Sequence, residues 1–78
     1  MPTYHFKVIR PDNTFPDEDG MTFDNIEQAW EEATVAAGLL VKDLDGKLSP
    51  GKSCAIEIQD EFFNTVRTLR VIAEGPRR

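Results

Sequence analysis

The chain has 78 residues, 40% of them hydrophobic and 29% charged, with 14 acidic against 9 basic side chains and a formal net charge of -5. This is the profile of one small globular domain and excludes a disordered chain, and the acidic balance argues against general nucleic-acid binding, which rests on neutralising phosphates with Lys and Arg. One cysteine excludes an internal disulfide, and the longest run without a charged side chain, Ala33–Val41, falls far short of the roughly 20 apolar residues that span a bilayer.

In chain order, "TYHFKVI" at Thr3–Ile9 is rich in aromatic and β-branched residues and predicts a strand. Tyr4, Phe6 and Val8 share one face, and His5, Lys7 and Ile9 the other. Pro11-Asp12-Asn13 is turn chemistry, followed by a short extended piece at Thr14 and Phe15. "PDEDG" predicts a second turn and "MTF" a short strand, with Met21 and Phe23 facing the same way. Phe15 and Met21 are expected to anchor this turn to the core, and Gly20 to supply its unusual backbone angles.

Asp24 is the expected helix cap, with Glu27 three residues on as its capping-box partner. Apolar residues then recur at Ile26, Ala29, Trp30, Ala33, Ala37, Leu40, Val41 and Leu44, a stripe of helical period. The spacing predicts one helix from about Asn25 to Leu44, with a break at Gly38 as the alternative. "DGK" at 45–47 ends it, Gly46 being suited to a left-handed cap. "LSPGKS" is a loop. "CAIEIQ" alternates, with Cys54, Ile56 and Ile58 inward and Ala55, Glu57 and Gln59 outward. "DEFFN" is a turn, and "TVRTLRVIA" a last strand whose mixed phase calls for a bulge near Thr68. The expected architecture is α+β: a small antiparallel sheet of three or four strands with one helix on one face, in the order β-β-α-β-β. Residues 1–74 form the single domain, and 75–78 a short disordered basic tail.

The acidic loop tests poorly as a metal site. Aligning Gly20 with the invariant glycine of a calcium loop places Asp17 and Asp19 well, but Phe15 and Ile26 stand where the end ligands belong. "DLDGK" fails likewise, with Val41 and Lys52 at its ends. Zinc needs three or four ligands, and the chain has one His and one Cys. Cys54 reads as a small core hydrophobe and His5 as a sheet-surface residue, on opposite faces and with no third group to make a nucleophile pair. "PGKS" lacks the first glycine of a phosphate loop and the strand and helix around it. The expectation is a protein that is not an enzyme and takes no cofactor, metal, small molecule, membrane or nucleic acid.

Charge and surface patterning give the remaining signals. From Pro11 to Val41 there are eight acids and no Lys or Arg, while from Phe62 onward four Arg stand against one Glu. The acidic stretch, with Asp17, Glu18 and Asp19 at its centre, reads either as a solvated surface or as a face that steers a basic partner. Val35 and Leu39 lie four apart on the helix, opposite the apolar stripe, and Phe62 and Phe63 occupy what should be a polar turn. They read either as incidental exposure or as a surface for a partner or a homodimer. A domain this small buries only about 60% of its unfolded surface, which a second chain would supplement.

The opening "MPTYHFKV", the loop "PDEDGMTF", the helix "IEQAWEEATVAAGLL" and the strand "CAIEIQDE" resemble a family of small bacterial proteins of unknown function, over nearly the whole chain. The resemblance implies no activity, ligand or catalytic residue. The sequence departs from it at "DEFFN", where that family more often has Asp-Glu-x-Gly and then a small polar residue. A looser likeness, in "PDEDG" followed by "IEQAWEEA", is to antitoxins of the HicB type, and implies an acidic protein that masks a basic RNA-cleaving toxin. The functional expectation is a cytoplasmic, self-associating interaction module, with an antitoxin-like or regulatory protein that binds a basic partner as the alternative. A lone thiol and an N-terminus without a basic-then-apolar pattern suggest the cytoplasm.

Overall fold

A computed structural model of the chain describes residues 2–17, 19–44 and 48–75. The elements are β1 (Thr3–Ile9), β2 (Thr14–Phe15), β3 (Met21–Thr22), α1 (Ile26–Leu44), β4 (Ser53–Gln59) and β5 (Thr65–Ile72). They form a five-stranded antiparallel sheet in the order β2-β1-β4-β5, with β3 also pairing β1. One helix packs on one face, so the molecule is α+β in two layers. The extended piece at Thr14 and Phe15 pairs with Ile9 and Val8, which brings the strand count to five.

The registers explain the core. Phe6 pairs with Ile58 and Ile58 with Arg67; Val8 pairs with Ile56 and Ile56 with Leu69; Cys54 pairs with Val71. Paired residues share a face, so these form the surface that receives the helix. Against it α1 presents Ala29, Ala33, Ala37, Leu40 and Leu44, all buried. Three alanines at this spacing bring the helix axis close to the sheet, and Tyr4, Phe23, Ile26 and Trp30 close the rim. The helix runs unbroken through Gly38. Cys54 is a free, buried thiol within this core.

Four local expectations shift. The N-cap is Asn25 rather than Asp24: Asn25 Oδ1 accepts the Gln28 N–H at 3.0 Å, and the Gln28 side chain in turn bonds both the backbone N–H and the carboxylate of Asp24. Asparagine caps as well as aspartate, and this choice frees Glu27 to meet Arg67 at 2.7 Å. The bulge lies at Val66, not Thr68, because Gln59 pairs with Thr65 while Ile58 pairs with Arg67. Ala55, expected outward, is buried: it sits mid-sheet between Ile9 and Arg70, whose longer side chains shield its methyl group. Phe15 and Met21, expected as anchors, are both about half exposed; Phe15 lies instead under the Arg10 guanidinium, 5.9 Å from its ring centre. Their strands are two residues long and border the sheet, so no second layer covers them. The expected helix stop at 45–47 and residues 76–78 of the tail expected at 75–78 lie outside the described residues.

Candidate interaction surface

The acidic loop is folded onto β1. The Asp17 carboxylate accepts the Phe6 N–H at 3.2 Å and the Gly20 N–H at 3.1 Å, and its carbonyl accepts the His5 Nδ1–H at 2.9 Å. Because a carbonyl only accepts, Nδ1 carries the proton in this contact. Gly20 has φ 75°, the left-handed conformation that glycine tolerates best, and passes directly over the imidazole.

The second loop comes from the β4–β5 turn. Asp60 Oδ1 accepts the N–H groups of Phe62 at 2.9 Å and Asn64 at 3.0 Å. The Asp60 carbonyl accepts the Phe63 N–H at 2.9 Å. This places Phe63 at φ 64°, an uncommon conformation for an aromatic residue. The Phe63 ring lies 4.2 Å from the His5 ring at an interplanar angle of 31°.

His5 is therefore not a sheet-surface residue. Strand alternation does put it on the face opposite the helix, but Gly20 and Phe63 fold over that end of the sheet and leave the side chain 6% exposed. The two turns meet across it, so Asp17 and Phe63, distant in sequence, belong to one surface. Its accessible parts are Phe62 at 75% and Phe63 at 54% exposure, Met21 beside Gly20, and the carboxylates of Asp19 and Glu61. Of the expected acidic trio, Asp17 is spent on the backbone, Asp19 is exposed and Glu18 lies outside the described residues. Val35 and Leu39 are exposed on the far side of α1 and are not brought to this end. The sequence reading missed His5 and Asp60. An Asp opening a turn before two aromatic residues was the available signal for the second; nothing local signalled the first.

Burial pushes the Asp17 carboxyl up, but the N–H groups of Gly20, Phe6 and Asp19 and the nearby His5 outweigh it and hold it below its usual value of 3.8. The Asn64 N–H chiefly holds Asp60 below the same value, against some burial and with help from Phe62. Folded values below unfolded ones mean stability that is complete above the unfolded carboxylate range and lost as pH falls through the folded values. Chemical denaturation between pH 7 and pH 3 is expected to show stability declining below about pH 5. Asp60→Asn and Asp17→Asn should each flatten that decline, and identical slopes in wild type and both variants would count against the two loop assignments.

At the opposite end of the sheet, Arg10, Asp12, Asp43 and Lys52 line a cleft of about 340 Å³ in which Arg10 Nη2 stands 4.0 Å from Asp43 Oδ2. Its charges are of both signs and already opposed. Among the described residues, no group of three or more His, Cys, Asp or Glu side chains is placed to hold a metal ion. No described helix is long and apolar enough to cross a membrane.

Fold and surface together define a small two-layer α+β domain with an aromatic and acidic end. The chain belongs to the family DUF6894, a domain of unknown function, whose model matches residues 3–73. Neither the curated proteins nor the solved structures contain a match to the chain.

Proposed function

We propose that the chain is a non-enzymatic protein-interaction module whose aromatic and acidic end takes a basic partner bearing an apolar anchor. The observation that carries this reading is Phe63, an aromatic residue held at φ 64° and left 54% exposed beside the still more exposed Phe62. A left-handed conformation costs a non-glycine residue about 1–2 kcal/mol, and stacking on His5 offsets only part of it. Strain kept at an exposed aromatic site is more readily explained by a contact than by folding. Asp19 and Glu61, exposed on the same two loops, supply the charge that favours a basic partner. An antitoxin-like or regulatory role, masking a basic protein in the cytoplasm, is one form of this reading and is the one the HicB likeness suggests.

The test uses Phe62→Ser, Phe63→Gly and Asp19→Asn on the full chain, with affinity for a recovered partner measured against salt. Phe63→Gly removes stacking and strain together, so its stability should stay within about 1 kcal/mol of wild type. Both aromatic substitutions should weaken binding about tenfold or more, and Asp19→Asn should reduce its salt dependence. A partner that binds all three variants as tightly as wild type, indifferent to salt, would remove this reading. Self-association is a second reading, favoured by the outer edge of β5, which no strand among the described residues pairs.

A further inference from the structure

The sheet has two unlike edges. On the β1 side, the outer strands β2 and β3 are two residues each, too short to template another chain. On the other side stands β5, eight residues long, paired with β4 along one edge and, among the described residues, with no strand along the other. It contains no proline, and at about 3.3 Å per residue it presents roughly 26 Å of open backbone. Its direction of bonding can be read from its end. The Ala73 N–H donates to the Lys52 carbonyl and the Ala73 carbonyl accepts the Gly51 N–H. Alternation along an antiparallel strand then turns the N–H and C=O groups of Ile72, Arg70 and Thr68 outward.

We propose that β5 pairs antiparallel with β5 of a second copy, about a two-fold axis at Leu69, to form one continuous sheet. This rests on the self-association reading and names its surface. The choice of occupant follows from the sequence of the strand, which is self-complementary in this register. Thr68 falls opposite Arg70 of the partner, Arg67 opposite Val71 and Leu69 opposite itself, and the bulge at Val66 ends the regular pairing there. No arginine faces an arginine. Centring at Arg67 or Arg70 would set like charges opposite, and centring at Thr68 would set Arg70 against the bulge at Val66. Arg67 is already matched within its own chain by Glu27 at 2.7 Å, which lowers the cost of bringing two such strands together.

Sedimentation equilibrium on the full chain across the micromolar range tests the proposal. Wild type should show a monomer–dimer equilibrium. Thr68→Pro removes an outward N–H that the monomer does not use, so the variant should keep its far-UV circular dichroism and become monomeric. Thr68→Arg sets an arginine against Arg70 of the partner on both sides of the axis and should weaken the dimer about tenfold or more. Combining it with Arg70→Glu should recover the dimer to within about threefold, because each new Arg then faces a new Glu. A wild-type monomer throughout would overturn both self-association and this pairing. A dimer that tolerates Thr68→Pro and Thr68→Arg would overturn the edge pairing while leaving self-association intact, and its loss in Leu39→Glu instead would assign the contact to the helix. A loss in Thr68→Arg without recovery in the double variant would overturn the register.

Discussion

Gly20→Ala is expected to lower the stability of the domain by about 2–4 kcal/mol, combining the left-handed backbone cost with overpacking against its neighbours. Both costs fall on one atom. At φ 75° any L side chain is strained, and a Cβ there would stand 2.8 Å from His5 Cε1 and 2.9 Å from Thr3 Cγ2. His5 has little room to yield, since its Nδ1 is held by the Asp17 carbonyl and Phe63 stacks on its ring. For a domain of this size each kcal/mol corresponds to about 4–8 °C in Tm, so the drop should exceed about 8 °C. Gly38→Ala is the matched control. Gly38 is helical, an added Cβ there would meet nothing within 4 Å, and alanine should raise stability by about 0.5–1 kcal/mol. Thermal denaturation of the two variants should move in opposite directions. A Gly20→Ala Tm within about 2 °C of wild type would mean that the loop does not close on His5 as described. The same variant should weaken any partner that needs the aromatic end, because lifting the loop releases the ring that Phe63 stacks upon.

Ile58→Ala is expected to cost about 2–5 kcal/mol, the range for deleting three methyl or methylene groups from a sealed core. Ile58 is 0% exposed, lies between Phe6 and Arg67 on the helix-facing side, and sits at the strand end nearest the bulge. Neighbouring strands and the helix hold the surrounding atoms in place, so the cavity would collapse only in part. Domains of this size carry roughly 4–12 kcal/mol of total stability, and the substitution removes a large share of it. Urea denaturation with Ile72→Ala as the exposed counterpart gives the comparison. The Ile72 variant, read at concentrations where the chain is monomeric, should stay within about 0.5 kcal/mol of wild type. An Ile58→Ala loss below about 1 kcal/mol would contradict the packing of α1 on the sheet.

The elements were legible because their signals are periodic and local. Alternation at Tyr4, Phe6 and Val8, and again at Cys54, Ile56 and Ile58, states which side of each strand meets the core. The Ala29, Ala33, Ala37 spacing places a helix of the right length on that side, and the stripe carried through Gly38 as the backbone does. Errors of one or two residues arose where two local solutions are nearly equal. Asp24 and Asn25 both cap helices, and a bulge at Val66 or Thr68 restores the same phase in β5.

What the amino-acid sequence determined by itself, then, is the α+β class, one helix set between strands, the inward residues of β1 and β4, and an acidic first half joined to an unusual Phe-Phe turn. Only the tertiary structure decided that the acidic loop and that turn meet over His5, that Ala55 is buried on the open face, that Phe15 and Met21 are not, and that no strand among the described residues pairs the outer edge of β5. The physical reason is that period-2 and period-3.6 patterns report only a residue's own element. Which loop lies over which strand depends on contacts between segments far apart in the chain, such as the Asp17 carbonyl on His5 and the Phe63 ring beside it, and no local pattern encodes them.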